Sequence, residues 1–234
     1  MTARTRCVFL MLAVGLAAGC AHSPPEDPWD PLEPVNRQVY AFNDTLDYYA
    51  LSPVARTYRD VTPRPVRRGI GNALGNLKVP VTAANDGFQG KVHHALSGGA
   101  RFLINSTMGI GGLFDVAADL GLPERDEDFG QTLGVWGVGQ GAYLMLPLLG
   151  PSTGRDLSGN VVDWFLDPTN HIDETATQLT LQVLYLMDLR ASLLGFEQTV
   201  RNAFDPYAFV RTAYLQNREA KVADGEPRRE VPGN

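Results

Sequence analysis

A short segment between Gly150 and Gly154 matches G-x-S-x-G, the nucleophile motif of serine hydrolases. In those enzymes a strand, a sharp turn and a helix leave the serine exposed, and an acid and then a histidine follow. Aspartates and then His171 do follow Ser152, but the spacing is very short, and no alternation of strands and helices precedes the motif. The alternative is a turn into the next helix, with Ser152 or Thr153 as its N-cap. We expect this alternative, with no catalytic residue and no enzyme activity.

Metal binding is the second chemistry to consider. The histidines are His22, His93, His94 and His171. His93 and His94 are adjacent, so they point about 100° apart on a helix and cannot chelate one ion alone. The acidic segment 124–128 lacks the ligand spacing of an EF-hand, and the glycines of residues 69–75 have the wrong spacing for dinucleotide binding. We expect these glycines to let helices pack closely, and we expect no metal and no cofactor.

Cys20 is the residue for which we expect covalent modification. Residues 1–19 contain two arginines followed by an apolar run that is too short to span a bilayer, which is typical of a secretory signal. Small residues precede Cys20, and this segment resembles the bacterial lipobox, in which the cysteine becomes the acylated first residue. Because Cys7 leaves with the signal, Cys20 would have no disulfide partner. The alternative is an ordinary signal with a chance cysteine; we expect acylation of Cys20 and anchoring to a membrane.

Charge and composition limit the remaining functions. The chain has 234 residues and a net charge of −6 without a basic run, which makes nucleic acid and electrostatic adhesion to anionic lipid poor candidates. Position 21 is alanine, whereas enteric sorting uses aspartate there to retain lipoproteins in the inner membrane, so we expect the outer membrane. Residues 20–29 are predicted to be a Pro-rich tether, 30–222 a helical domain, and 223–234 a disordered, charged tail.

Apolar residues at three- and four-residue steps predict a mainly α fold, with helices broken by Pro and Gly. Asp30 is predicted to cap the first helix, and Pro53 to end it. Asp205 and Pro206 repeat the pattern of a cap followed by proline. A second helix is predicted to start at Thr62. The further predicted helices span Lys91–Thr107, Gly112–Leu120, Ser158–Asp167, Asp173–Asn202 and Tyr207–Val222.

Hydrophobic residues are unusually placed in this sequence. Phe129 to Gly154 contains no charged residue, but its glycines and prolines make it a poor transmembrane helix. Glycines alternate with larger residues between Gly134 and Gly141, which favours an extended hairpin or a flexible loop. Two other uncharged runs, 102–114 and 175–187, are too short to cross a bilayer. Each run could be buried core, or all could sink into one leaflet beside the lipid anchor.

Several longer motifs carry a resemblance to a known family, the MlaA (VacJ) lipoproteins. They occur in order over about residues 28–217: Asp30–Arg37, Phe42-Asn43, Asn76-Leu77, Arg101–Gly109, Gly111–Ala117, Phe129–Gly134, Gly137–Gly141, Leu146–Thr153, Arg155-Asp156 and Asp205–Tyr207. The resemblance implies a ring-like, multi-helix body in the periplasmic leaflet of the outer membrane, with a central channel for phospholipid headgroups. It also implies removal of mislocalised phospholipids from the outer leaflet, which maintains lipid asymmetry.

The resemblance implies site residues and partners as well. A glycine-rich hairpin with Gly134, Gly137, Gly139 and Gly141 would border the channel. Disturbing a helix position that corresponds to Phe42 and Asn43 would alter channel behaviour. The implied partners are phospholipids, a trimeric outer-membrane porin and a soluble periplasmic lipid carrier. A structural lipoprotein that holds porins without moving lipid is the alternative function.

Overall fold

The computed structural model describes residues 30–225, so the predicted signal, the tether with Cys20 and the tail after residue 225 lie outside the described residues. The helices are α1 (Glu33–Leu46), α2 (Ser52–Val61), α3 (Arg64–Phe88), α4 (Val92–Thr107), α5 (Val116–Asp119), α6 (Phe129–Val135), α7 (Gly154–Leu166), α8 (Thr175–Leu193), α9 (Glu197–Arg201) and α10 (Pro206–Val222). A π-helical turn (Asp47–Leu51) joins α1 to α2, and a 3₁₀ turn (Pro168–His171) follows α7. One antiparallel hairpin, β1 (Tyr143–Leu146) with β2 (Gly150–Thr153), separates α6 from α7.

The start and end predicted for the first helix are wrong. The Asp30 side chain is fully buried and accepts hydrogen bonds from Asn36 and Arg211, so it does not cap α1, which begins at Glu33. Pro53 does not end the helix, because the chain passes through the π-helical turn into α2. There the Ser52 N–H donates to the Asp47 carbonyl, and Pro53 lies in the first turn of α2, where no N–H is needed.

Helices α3 and α4 form the largest helix pair, joined by three residues. Helix α4 starts and ends within one residue of the prediction, and α10 also fits its predicted range. A Cβ on Gly98 of α4 would lie 3.3 Å from the Ala83 Cβ of α3, and a Cβ on Gly71 would lie 3.1 Å from the Asp188 carboxylate of α8. The predicted role of residues 69–75 in close helix packing is therefore confirmed for Gly71.

Three helix lengths differ from the predictions. Helix α5 is shorter than expected, because residues 110–112 all adopt positive φ and form a turn before it. Helix α7 starts four residues earlier than expected, because the Thr153 hydroxyl accepts from the Asp156 N–H and caps it. The predicted single helix from Asp173 to Asn202 is two helices, α8 and α9, with a turn around Gly195 between them.

The distribution of polar and apolar residues is inverted relative to a water-soluble domain. Within residues 30–225, ten hydrophobic residues are buried, whereas seventeen polar or charged residues are buried and thirty-five large hydrophobic residues are exposed. The small apolar core consists of Tyr143, Met145 and Tyr207, with α1 and α10 packed around them. No helix of the described range is long and apolar enough to cross a membrane. The polar side chains inside the domain therefore need hydrogen-bond partners, and these partners form the candidate site.

Candidate functional site

Two asparagines of α1 hold the hairpin through its backbone. Asn36 Nδ2 donates to the Tyr143 carbonyl at 3.0 Å, and its Oδ1 accepts from the Met145 N–H at 2.9 Å. Asn43 Nδ2 donates to the Leu146 carbonyl, and its Oδ1 accepts from the Leu148 N–H, both at 2.9 Å. The two asparagines are seven residues apart, or about two helical turns, so they lie on one face of α1. We call these four hydrogen bonds the amide clamp; they bind β1 as a neighbouring strand would.

The Asn36 part of the amide clamp is connected to α10 through Asp30. Asn36 also donates to Asp30 at 2.8 Å, and Asp30 accepts from the hydroxyl of Tyr207 and from Arg211. Burial and hydrogen bonding to the Asp30 carboxylate raise the pKa of the Tyr207 hydroxyl, which therefore stays a donor at neutral pH. Residues that are far apart in sequence thus meet behind β1, and the hairpin lies between α1 and α10.

The structure gives Asn43 a definite contact and leaves Phe42 at the surface. Asn43 binds the turn between β1 and β2, whereas the Phe42 side chain is 54% exposed. The effect of these two residues on channel behaviour stays a prediction. Sequence reasoning missed the role of Asn36, which makes the equivalent contact nearer the start of β1. Asn36 lies seven residues before Asn43 and therefore on the same face of the helix, and this spacing was the sequence signal that could have identified it.

The four glycines predicted for the channel hairpin lie before the hairpin rather than in it. Gly134 lies in α6, and Gly137, Gly139 and Gly141 lie in the loop that leads to β1, here called the glycine loop (136–142). Gly137 and Gly141 have φ of 91° and 70°, which L-residues rarely adopt. The alternation of glycines with larger residues predicted either an extended hairpin or a loop, and this segment forms a loop. A Cβ on Gly137 or Gly139 would meet nothing within 4 Å, so this part of the loop is open.

The base of the glycine loop is held by the start of α7. The Arg155 N–H donates to the Gln140 carbonyl at 3.1 Å, and the Gly154 N–H donates to the Ala142 carbonyl at 3.1 Å. The buried Arg155 side chain also donates to the Val138 carbonyl at 3.4 Å. A Cβ on Gly134 would lie 2.9 Å from Arg155 Nη1, so only glycine fits there without movement. The loop therefore has a fixed base and an exposed tip.

A buried ion cluster connects α10 to both ends of this segment. Arg218 donates to both carboxylate oxygens of Asp128 at 2.5 and 2.8 Å and to Asp156 at 2.7 Å. The Tyr214 hydroxyl donates to the other oxygen of Asp156 at 2.6 Å. Burial would raise the pKa of Asp128, but hydrogen bonding and the charge of Arg218 lower it to about 2. Asp128 also caps α6 by accepting from the Gln131 N–H at 2.9 Å. The cluster thus fixes the start of α6 and of α7.

A polar cleft of about 370 Å³ lies between α3, the loop before α6, and α7. Its polar lining includes Lys78, Thr82, Asp126, Glu127, Asp128, Asn160, Asp163, Asp167 and Asn170. Asp163 accepts from Asn85 and from the Phe129 N–H, both at 2.8 Å, and its burial raises its pKa. Trp164 borders the cleft and is 52% exposed. The volume falls within the range of roughly 300 to 1,000 Å³ that ligand clefts occupy.

The serine motif does not have the geometry of a nucleophile elbow. Ser152 lies in β2 and is buried, with its hydroxyl 3.4 Å from the Thr153 carbonyl. Thr153 is the N-cap of α7, as expected. The His171 ring is hydrogen-bonded to the Asp167 carbonyl at 3.0 Å in its own 3₁₀ turn. Across residues 30–225, no group of three or more His, Cys, Asp or Glu side chains is arranged to hold a metal ion.

Comparisons with known proteins agree with this description. The model of the MlaA lipoprotein family matches residues 28–221. The intermembrane phospholipid transport system lipoprotein MlaA of Escherichia coli is 37% identical over 226 residues, which cover 93% of this chain and 88% of that protein. The protein of the same name in Haemophilus influenzae is 33% identical over 235 residues, which cover 97% of this chain and 93% of that protein. An uncharacterized protein of Rickettsia bellii is 38% identical over 196 residues, with 83% and 77% covered.

A solved structure from work on the structural basis for maintenance of bacterial outer membrane lipid asymmetry has the same fold. It has a TM-score of 0.75 and 36% sequence identity, and the match covers 82% of this chain and 98% of its own. The helical body, the inverted surface and the clamped hairpin define a mainly α domain that is polar inside and apolar outside. The chain belongs to the MlaA lipoprotein family. The predicted family and the predicted mainly α fold are both confirmed.

Proposed function

We propose that this chain is an outer-membrane lipoprotein that removes mislocalised phospholipids from the outer leaflet and so maintains lipid asymmetry. The names of the Escherichia coli and Haemophilus influenzae relatives support intermembrane phospholipid transport. The observation on this chain that carries the proposal is its inverted surface, with large hydrophobic residues outside and polar residues inside. Burying apolar surface in hydrocarbon gains about 25 cal/mol per Å², so such a surface favours contact with lipid.

The same surface supports a position in one leaflet of the membrane. Exposed aromatic side chains such as Trp136 and Trp164 suit the boundary between lipid and water. Acyl chains on Cys20, which lies before the described residues, would keep the domain at the periplasmic leaflet. Each buried methylene of such a chain contributes about 0.8 kcal/mol, so two or more chains give stable attachment.

The polar interior offers a path for headgroups. Moving an isolated charge into hydrocarbon costs many kcal/mol unless polar groups replace its water. The cleft of about 370 Å³ provides such groups inside a body whose outer surface is apolar. Asp128 lines this cleft and caps α6, whose other end leads into the glycine loop. The loop is therefore placed to change the opening of a headgroup path, with Gly137 and Gly139 supplying its flexibility.

Transport needs a donor and an acceptor for the lipid, and no bond of the lipid has to be broken. A trimeric porin would hold the lipoprotein in the outer membrane, and a soluble periplasmic carrier would accept the lipid. The alternative is a structural lipoprotein that binds porins without moving lipid. Both functions fit an apolar outer surface, but only transport would use the polar cleft and the glycine loop that α6 connects to it.

Replacing both Gly137 and Gly139 with valine tests transport against scaffolding. Neither Cβ meets an atom within 4 Å, and the strain of a valine at the positive φ of Gly137 falls on the exposed loop, so the helical domain should still fold while the loop loses its native conformation. We expect outer-leaflet phospholipid, measured by its accessibility to an external phospholipase, to rise toward the level of cells that lack the chain. Gly99→Val is the control, because Gly99 also has open space around it. Unchanged outer-leaflet phospholipid at normal protein level would favour the scaffold.

Ser152→Ala tests the remaining hydrolase alternative. The hydroxyl is buried and its hydrogen bond to the Thr153 carbonyl is long, so its loss should cost about 1 kcal/mol of folding stability. We expect normal outer-leaflet phospholipid in cells carrying the variant, and equal background ester hydrolysis by the purified variant and parent. An ester hydrolysis activity of the parent that the variant lacks would support the enzyme instead.

A further inference from the structure

A local concentration of positive charge lies where α2 meets α3. Arg59 is in the last turn of α2, and Arg64, Arg67 and Arg68 are at the start of α3. We call these four residues the arginine corner. Arg59, Arg64 and Arg68 are exposed, and Arg67 is half-buried. The net charge of −6 does not reveal this corner, because most of the carboxylates of the chain lie elsewhere.

Most of the arginine corner lacks ion-pair partners. Elsewhere arginines are held closely by carboxylates, for example Arg101 by Asp115 at 2.6 Å and Arg190 by Asp47 at 2.5 Å. Arg59 pairs with its neighbour Asp60 at 3.2 Å, and both side chains are exposed. Within residues 30–225, no carboxylate lies within the 4.0 Å limit for an ion pair with Arg64, Arg67 or Arg68. The corner therefore presents uncompensated guanidinium groups.

The internal arrangement of the corner is unfavourable without an external anion. Arg64 and Arg68 are four residues apart on α3, so the two side chains lie beside each other on one helix face, where like charges repel. The first turn of α3 contains no acidic residue that could offset them. These features indicate a surface that is completed by a negatively charged partner.

The apolar residues around the corner indicate what this partner is. Val54, Val61 and Val66 flank the arginines in sequence and are 53%, 72% and 51% exposed. Exposed aliphatic residues next to arginines suit a membrane boundary, where the aliphatic side chains enter the acyl region and the guanidinium groups reach toward the surface. Guanidinium groups also match the geometry of phosphate oxygens, to which they can donate two parallel hydrogen bonds. An acidic soluble protein would leave the valines without a function.

We propose that the arginine corner binds the phosphate groups of phospholipid headgroups at the membrane surface. This assigns the turn between α2 and α3 to the headgroup layer and fixes the tilt of the domain in the leaflet. The proposal rests on the membrane location in the proposed function, but it does not depend on lipid transport. Its test therefore measures membrane contact directly, whether or not lipid is moved.

The test uses the full-length mature chain in bilayer discs of phosphatidylethanolamine with a minority of phosphatidylglycerol. An environment-sensitive dye is attached to Thr62→Cys, and the chain without this substitution controls for labelling at Cys20. Acrylamide, a neutral quencher, reports whether the dye is shielded. We expect R64Q/R68Q to increase quenching about twofold, and salt near 1 M to have a similar effect, because its Debye length of about 3 Å screens charges.

R201Q/K221Q is the matched control, because it removes two positive charges from α9 and α10 instead. We expect this variant to be quenched like the parent. Equal quenching of R64Q/R68Q and the parent would overturn the proposal. Full exposure of the dye in the parent would also overturn it and would leave the corner to a soluble acidic partner. Outer-leaflet phospholipid measured in parallel separates these outcomes from a failure of the proposed transport function.

Discussion

Replacing Arg218 with methionine is expected to lower the free energy of unfolding by about 3–5 kcal/mol, because breaking a buried ion pair leaves uncompensated charge. The substitution would leave the Asp128 and Asp156 carboxylates without the guanidinium that binds both. The Asp128 carboxylate caps α6, and Asp156 lies in the first turn of α7, so the loss of Arg218 disturbs the starts of both helices. The measurement is denaturant unfolding in mild detergent, followed by circular dichroism. A parallel fall in protein level is expected in cells.

Two further variants make the Arg218 prediction specific. Arg201→Met removes an exposed arginine whose partner Glu197 keeps its ion pairs with Arg56 and Arg190, so it should cost at most about 1 kcal/mol. The triple variant R218M/D128N/D156N removes the stranded charges and should recover part of the stability lost in R218M. Equal unfolding free energies for R218M and R201M would contradict the assigned role of the cluster.

The same cluster predicts the direction of a pH dependence. The pKa of Asp128 is lowered to about 2 in the folded domain, whereas an unperturbed aspartate has a pKa of about 3.9. A carboxylate with a lowered pKa contributes stability that is fully present above its unfolded pKa. This contribution is lost as the pH falls from about 4 toward 2. Asp128→Asn should flatten the decline in that window.

Replacing Asn36 with leucine is expected to cost about 3–5 kcal/mol and to release one end of the hairpin. The change strands the Tyr143 carbonyl and the Met145 N–H, and it removes the donor to the buried Asp30. Each buried group without a partner costs about 1–3 kcal/mol. Backbone hydrogen exchange gives a residue-specific measurement, because the Met145 amide should lose its protection.

Asn43→Leu is the matched comparison for Asn36. Asn43 makes the same pair of backbone contacts, but it is only partly buried, so its loss should cost about 1–2 kcal/mol. In this variant the Leu148 amide should exchange faster, while the Met145 amide stays protected by Asn36. Loss of protection at both amides in either variant would mean that the hairpin does not have two independent attachment points.

Much of the helical fold was predictable because its signals are local. The Asp205 cap followed by proline marks the start of α10, and helix α4 follows its apolar period closely. Helix α8 was harder to delimit, because its apolar residues lie all around it and its exposed leucines give no single face. The periodicity of apolar residues marks the buried face of a helix. It cannot mark the ends of a helix whose exposed face is apolar as well.

The candidate site depends on contacts between distant residues, which local patterns do not carry. Asp30 has the sequence of an N-cap, but its partners Tyr207 and Arg211 come from the other end of the domain. The hairpin strands are four residues each, and the groups that hold β1 are asparagines of α1. The family resemblance gave a role to Asn43 and none to Asn36, and the contact of Asn36 with β1 became evident once α1 was placed beside β1.

The amide clamp also determines how the hairpin can detach from α1. A strand at a sheet edge is bound by a continuous row of backbone groups, so detaching it disturbs a whole neighbouring strand. Here the row is replaced by two side chains, each carrying two hydrogen bonds. Rotation of the Asn43 side chain would break both hydrogen bonds to the hairpin tip, while Asn36 would still hold the start of β1. Such a release of the tip would require no helix to move.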